Sequence, residues 1–268
     1  MTQQIAVFRF APSPYGRMHL GNAFSALMNE KLAREAGGRL LLRIEDTDQT
    51  RARPEFVQGV FEDMDWLGIK FETPVRIQSE HMEEYRAALD RLDAMGLLYK
   101  CNCTRSQLAA APKGKADPDG TPLYPLTCRR NGARQGGPFA LRVKMDEAAA
   151  RLSEPLTLNG MPTDPSVWGD VVLARKDTGA SYHLAVVVDD ALQGVTHVVR
   201  GRDVEAATSI HLLLQKLLGL SHPHYHHHEL IMRDAQRKLS KSHGDPSLRG
   251  LRESGMSPRE VRAALGFV

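Results

Sequence analysis

Ile5-Ala6-Val7-Phe8-Arg9-Phe10-Ala11-Pro12-Ser13-Pro14-Tyr15-Gly16-Arg17-Met18-His19-Leu20-Gly21-Asn22 runs from an apolar segment through a Pro/Gly turn into a helical pattern that opens at His19. The reading is strand, turn, helix. A helix start gathers unsatisfied N–H groups and the positive end of the macrodipole, so it attracts anions. Far along the chain, Lys238-Leu239-Ser240-Lys241-Ser242 sets two ammonium groups three residues apart among small hydroxyls. That pattern suits a mobile clamp for phosphates that gain charge during transfer. Each half taken alone also fits an ordinary turn or a solvated loop.

Between them lies Arg39-Leu40-Leu41-Leu42-Arg43-Ile44-Glu45-Asp46-Thr47-Asp48. Gly37-Gly38 ends the preceding helix, and the apolar run reads as a buried parallel strand that delivers Glu45, Asp46 and Asp48 to its carboxyl end. Open α/β sheets bind ligands there. Asp46 and Asp48 also suit an acidic loop capping the next helix, beside Thr47 and Thr50. Further on, Ala185 to Val188 is an apolar run and Val195 to Val199 alternates like a strand; composition assigns both to core. A helix from His19 to Ala36, a strand over 39–44, a helix from Pro54 to near Leu67 and another from Ser79 to Met95 complete the first part. Residues 100 to about 168 form an insert with an alternating strand at Phe139–Val143, and the sheet resumes from Asp170. The expected architecture is a doubly wound α/β fold split by an insertion.

Three cysteines are an odd count, and no charged-then-apolar leader precedes the first strand, which argues against a disulfide framework. Cys101 and Cys103 flank Asn102, and Cys128 follows Tyr124 by four residues across the Pro/Gly/Lys-rich stretch Pro112 to Pro122. Three thiolates favour zinc as a staple for such an insert, with free buried thiols as the alternative. No histidine lies between Cys101 and Cys128, so spacing leaves the fourth ligand open. The run His222, His224, His226, His227 and His228 reads as a strand leading to the Lys/Ser loop rather than as a second metal site. A net charge of +3 is too mild for a non-specific nucleic-acid binder. Arg129, Arg130, Arg134, Arg249, Arg252, Arg259 and Arg262 are candidate RNA contacts, most of them read as solvated surface. No apolar stretch approaches the roughly 18 residues that cross a membrane. A soluble, cytoplasmic monomer is expected.

The elements His19-Leu20-Gly21-Asn22 and Lys238-Leu239-Ser240-Lys241-Ser242 resemble the HIGH and KMSKS elements of class I aminoacyl-tRNA synthetases, with Leu239 in place of Met. From about residue 5 to 265 the chain resembles the glutamyl-tRNA synthetase catalytic domain. The resemblance implies a Rossmann-type parallel sheet. Its first half spans 1–99, an insertion with a small zinc module 100–168, and its second half with the KLSKS loop 169–242. Residues 243–268 are left as a short helical segment, opened by the capping box Ser257-Pro258-Arg259-Glu260. It further implies ATP with Mg2+ at His19, Gly21, Lys238 and Lys241, and a glutamate pocket lined by Arg9, Phe10, Ala11, Pro12, Ser13, Glu45, Tyr182 and Arg200. The chemistry suits L-glutamate: Glu45 can take the ammonium, Arg9 and Arg200 the side-chain carboxylate, and Ser13 and Tyr182 neutral hydrogen bonds.

Ordinary members carry a helical anticodon-binding region after the KMSKS loop, whereas this sequence stops near that point. The resemblance is therefore to the stand-alone paralogues, which activate glutamate without tRNA and attach it to queuosine in the anticodon loop of tRNA(Asp). Those paralogues pair Cys-x-Cys with Tyr-x-x-x-Cys, which implies one structural Zn2+ on Cys101, Cys103, Tyr124 and Cys128. Two rival readings stand beside this one: a minimal glutamyl-tRNA synthetase charging the 3′ end, and a synthetase-like RNA-binding module without catalysis. Intact His19, Glu45, Lys238 and Lys241 argue against the second.

Overall fold

The computed structural model describes residues 5–110, 114–234, 237–238 and 246–267, with backbone alone at 232–234 and 237–238. Two compact units emerge, the first from Met1–Glu80, Gly194–Glu205 and Pro223–Val268, the second from His81–Gln193 and Ala206–His222. The first unit begins with β1 (Val7–Phe10), α1 (Leu20–Glu35), β2 (Arg39–Ile44), α2 (Pro54–Trp66) and β3 (Glu72–Ile77). The second then builds α3 (Met82–Ala94), β4 (Leu98–Cys101), α4 (Arg105–Ala109), α5 (Thr127–Asn131), β5 (Ala140–Val143) and α6 (Met145–Ala149). The hairpin β6 (Leu156–Leu158) and β7 (Met161–Thr163), β8 (Val172–Ala174) and α7 (Tyr182–Leu192) follow. The chain returns for β9 (His197–Gly201), leaves for α8 (Thr208–Leu218), and comes back with β10 (His224–His228). It closes with the hairpin β11 (Met232–Asp234) and β12 (Arg237–Lys238), then α9 (Leu248–Glu253) and α10 (Pro258–Ala264).

The first unit is organised by a five-stranded sheet of order β10-β9-β1-β2-β3, parallel throughout. Strand order reverses between β1 and β9, and such switch points form ligand crevices at the carboxyl ends of strands. Register sets what each face carries, because side chains alternate along a strand. Phe8 pairs with Leu40 and with His197, so Phe8, Phe10, Leu40, Leu42, Ile44 and Val199 share one face and pack on Ala23, Ala26 and Leu27 of α1. Arg9 pairs with Leu41 and Arg200 with His227, which puts Arg9, Arg43, Arg200, Tyr225 and His227 on the other face. Beneath α1, the guanidinium of Arg262 in α10 donates to Glu30 at 2.8 Å and to the Leu67 carbonyl at 2.9 Å. The Ser257/Glu260 capping box that opens α10 is formed.

In the second unit α3, α7 and α8 pack together. The run Ala185–Val188 is the middle of α7, buried from Leu184 to Asp190, as expected of a helix apolar on all sides. The Tyr85 hydroxyl donates to the Asp189 carboxyl group at 2.9 Å, both residues being fully buried, so each polar group has a partner. A three-stranded antiparallel sheet, β4-β5-β8, holds the rest. This corrects the expectation that the parallel sheet resumes from Asp170: β8 pairs antiparallel with β5, Leu141 opposite Ala174. The Asp170 carbonyl is tied to Arg142 of β5 at 2.6 Å, so the segment is drawn to β5 instead. The compact units divide at Glu80, Gln193, Glu205 and His222. Strand β3 escapes sequence reading because Pro74 interrupts it, which its place at the sheet edge tolerates.

Gly38 sits where α1 gives way to β2, and a Cβ there would lie 2.5 Å from the Ala6 carbonyl oxygen. That oxygen is fixed by the Arg39 amide at 2.8 Å. Gly38→Ala is therefore expected to cost about 1–3 kcal/mol through overpacking against backbone. Urea denaturation should show a lower midpoint with unchanged slope.

Candidate active site and metal centre

His19 is the N-cap of α1. Its Nδ1 accepts from the Gly21 amide at 3.1 Å, while Asn22 Oδ1 accepts from the His19 amide at 3.1 Å, a capping box made with an imidazole. Acceptance at Nδ1 of a neutral ring puts the proton on Nε2, leaving that edge a donor. Gly21 is required beside it: a Cβ would stand 2.9 Å from His19 Cε1. His19 also bridges Ser247, and the Leu248 amide donates to the Met18 carbonyl at 2.8 Å, so the chain following the Lys/Ser loop returns to the start of α1. Lys238 ends β12, but its side chain and all of Lys241 lie outside the described residues.

At the carboxyl end of β2 the Glu45 amide donates to the Pro12 carbonyl at 3.1 Å, joining Glu45 to the turn that holds Ala11 and Ser13. Glu45 is 5% exposed, and the fully buried Arg43 donates Nη2 to its Oε1 at 3.1 Å. Sequence reasoning missed Arg43; its signal was parity, two residues before Glu45 on one strand face. Asp46 and Asp48 keep the plainer roles. Asp46 accepts the Ser79 amide at 2.8 Å and hydroxyl at 2.6 Å, and Asp48 the Thr50 hydroxyl at 2.7 Å. Across the switch point, Arg200 donates Nε to His227 Nε2 at 3.3 Å and lies 5.2 Å from the Tyr225 ring centroid. Burial, then the charge of Arg200, pushes the His227 pKa down to about 4, so the imidazole is neutral and accepts. The first unit thus gathers Arg9, Phe10, Ala11, Pro12, Ser13, Glu45 and Arg200 on adjoining strands and the turn after β1. Tyr182 opens α7 in the second unit, edge-on to His183 at 5.6 Å and His211 at 5.5 Å.

The cysteine centre is also in the second unit. Cys101 ends β4, Cys103 follows, and Cys128 lies in α5. Leu126 takes the left-handed conformation, φ 60°, directly before α5, and the Cys128 amide donates to Tyr124 Oη at 2.9 Å. The three Sγ atoms lie within 4.8 Å of one another; Tyr124 Oη is 3.4 Å from Cys101 Sγ and 3.6 Å from Cys103 Sγ. Tetrahedral zinc with bonds near 2.3 Å separates sulfurs by about 3.8 Å, so the donor set fits. Burial opposes ionisation of Cys101, yet hydrogen bonds from Tyr124, Arg142 and the Cys103 amide hold its thiol at about 7. Burial and the Cys101 thiol push Tyr124 upward. Among the described residues this is the one cluster that could hold a metal, and the histidine strand β10 forms none. Of the candidate RNA arginines, Arg129 is committed to Asp146 at 2.6 Å and to Asp170, and Arg262 to Glu30.

The model of the family "tRNA synthetases class I (E and Q), catalytic domain" matches residues 5–266. The chain belongs to this family. It is an ATP-using ligase of the class I tRNA synthetases. Glutamyl-Q tRNA(Asp) synthetase of Rhodobacter capsulatus is 46% identical, over 97% of this chain and 100% of that protein. The protein of the same name in Deinococcus radiodurans is 41% identical, over 96% and 86%. Glutamate–tRNA ligase of Aquifex aeolicus is 38% identical over 94% of this chain and 55% of its own. A glutamate tRNA ligase of Elizabethkingia meningosepticum, solved with its amino acid, superposes with a TM-score of 0.71 at 25% identity, over 91% of this chain and 54% of that one. No helix among the described residues is long and apolar enough to cross a membrane.

Two outcomes follow from the site geometry. Protein purified without chelator is expected to hold about one zinc per chain, and Tyr124→Phe, which removes one oxygen, to weaken metal binding at least about tenfold in chelator competition. A metal-free preparation would reduce the cysteines to buried thiols. His227 stays neutral in the folded protein to about pH 4 but titrates near 6.5 when exposed, so between those values the unfolded chain binds more protons. Stability should fall as pH drops through that window, by at most about 3 kcal/mol from this group. His227→Gln should flatten the slope in urea denaturation at stepped pH.

Proposed function

We propose that the protein activates L-glutamate with ATP, without needing tRNA, and transfers it to queuosine in the anticodon loop of tRNA(Asp). The observation that carries this reading is the 46% identity to the Rhodobacter capsulatus glutamyl-Q tRNA(Asp) synthetase over the whole of that protein. The buried sheet face supplies the matching chemistry. Glu45, fixed by Arg43, receives the substrate ammonium; Arg9 and Arg200 receive the side-chain carboxylate; Ser13 and Tyr182 add neutral hydrogen bonds. A neutral glutamine side chain would compensate the two guanidiniums poorly, and losing such a buried charged partner typically costs about 2–5 kcal/mol.

In the first step an α-carboxylate oxygen bonds to the ATP α-phosphorus in line, and the bond to pyrophosphate breaks, the leaving group taking the electron pair. His19 Nε2–H, the start of α1, Lys238 and Lys241 stabilise the charge that grows on the phosphates, with Mg2+ carried on the nucleotide. In the second step a queuosine hydroxyl oxygen bonds to the glutamyl carbonyl carbon, AMP leaves with the electron pair, and the hydroxyl proton passes to water. Zinc on Cys101, Cys103, Tyr124 and Cys128 is structural and holds the insert together. ATP and tRNA as substrates place the reaction in the cytoplasm.

Glutamate-dependent ATP–pyrophosphate exchange is expected without RNA. Lys241→Ala should lower its rate far more than it weakens glutamate binding, and Arg200→Ala should do the reverse. With tRNA(Asp) from cells with and without queuosine, only the former should take up label. Equal labelling of both, or glutamate on the 3′-terminal adenosine, would replace this reading with the activity named for the Aquifex aeolicus relative.

A further inference from the structure

Arg200 of β9 and His227 of β10 are register partners in the parallel sheet of the first unit. Arg200 donates Nε to His227 Nε2 at 3.3 Å, and its guanidinium carbon lies 5.2 Å from the Tyr225 ring centroid. The Tyr225 ring runs parallel to the imidazole, 3° between planes with centroids 6.0 Å apart. Two residues of one strand, two positions apart, therefore define how the guanidinium lies. The Tyr225 ring is buried and the His227 side chain is 3% exposed, so the hydrogen bond is charge-assisted and largely withdrawn from water.

A neutral imidazole that accepts at Nε2 carries its proton on Nδ1. That nitrogen lies 3.9 Å from Glu205 Oε1, too far for a hydrogen bond but near enough to favour a proton there. Glu205 is held from its other oxygen, with Arg202 Nε 3.6 Å from Oε2, and Arg202 also donates to Glu229. Burial, then repulsion from Arg200, His226, His228 and Arg202, keeps the imidazole of His227 neutral. Neutrality decides what the contact can do. A carboxylate in this place would orient Arg200 equally well, but it would compensate the cation and repel an arriving carboxylate. An imidazole orients the guanidinium and leaves its charge for a ligand. A fixed guanidinium plane is what bidentate recognition of a carboxylate needs.

We propose that His227 is a positioning residue for glutamate recognition: it holds the Arg200 guanidinium through a neutral acceptor, while Glu205 sets which imidazole nitrogen carries the proton. The inference rests on the function proposed above, in which Arg200 receives the side-chain carboxylate of glutamate. An imidazole that merely fills space between strands would affect stability and leave the KM for glutamate alone.

Three variants separate these roles in ATP–pyrophosphate exchange with glutamate as the varied substrate. His227→Gln sets an amide oxygen near the place of Nε2, His227→Asn is too short to reach Arg200, and His227→Leu keeps apolar bulk without an acceptor. The KM for glutamate should stay within about threefold of wild type in His227→Gln and rise about tenfold or more in the other two, as for loss of a hydrogen bond to a charged group, with kcat within about threefold throughout. Urea midpoints report folding, and His227→Leu decides the question if His227→Asn does not fold. Wild-type exchange beside an unmoved KM in the folded variants that lack the acceptor, a fall in kcat alone, or a His227→Gln that loses as much as His227→Leu overturns this inference and leaves the proposed function standing. Wild-type protein without glutamate-dependent exchange overturns the proposed function and this inference with it.

Discussion

Four ionisable side chains, Arg9, Arg43, Glu45 and Arg200, are withdrawn from water on or beside one face of a parallel sheet, each at most 7% exposed. Taking an ion out of water costs several kcal/mol even after relaxation, and removing one member of a buried pair strands the other. The surrounding structure is arranged around that constraint. Arg43 lies against Glu45, and Arg200 lies against an imidazole that burial, and then the same cation, keeps neutral. On the opposite face Phe8, Phe10, Leu40, Leu42, Ile44 and Val199 form an apolar patch seated on α1, with histidines of β9 and β10 beside it, so the strands cannot slip by one residue without exchanging the two faces. A charged face held this firmly suits the zwitterionic substrate of the proposed activation step.

The sequence was most legible where the signal is local. Pro54 at the first turn of α2, the Ser257/Glu260 box of α10 and the glycines after α1 each act within a turn of the residues they organise, and each element appears where they indicate. Legibility fails where the deciding partner is distant. Nothing in the sequence near Val172 says that β8 pairs with Leu141 rather than joining the parallel sheet, and Pro74 disguises β3. The valines of α7 are compatible with strand or helix until α3 and α8 enclose them. Glu45 was legible as the residue that its strand delivers to the carboxyl end, whereas Arg9 and Arg200 were singled out by resemblance alone, since composition reads the segment around Arg200 as core. Arg43 shows the limit best: an arginine inside an apolar run becomes informative only once Glu45 is seen to share its face.

The second unit solves its own polar problem through one residue. Asp170 accepts from Tyr99, the Met145 amide and Arg129, so a single carboxylate ties the first strand, the last strand's approach and the helix bearing Cys128. That network explains why Arg129 is a poor candidate for gripping RNA despite its charge. It also gives the cysteine loop a rigid floor, on which Leu126 can hold its unusual backbone conformation.

The pairing of His19 with Ser247 couples two parts of the chain that sequence separates widely. Whatever ligand tightens the start of α1 must also tighten the strand-like contact to Ser247, and with it α9 and the Arg262 anchor of α10. By linkage, a nucleotide bound at the start of α1, as the proposed function requires, would stabilise the carboxyl-terminal helices against local unfolding, growing with ligand concentration as RT ln(1 + [L]/Kd). Those helices would then act as a thermodynamic gauge of the filled site.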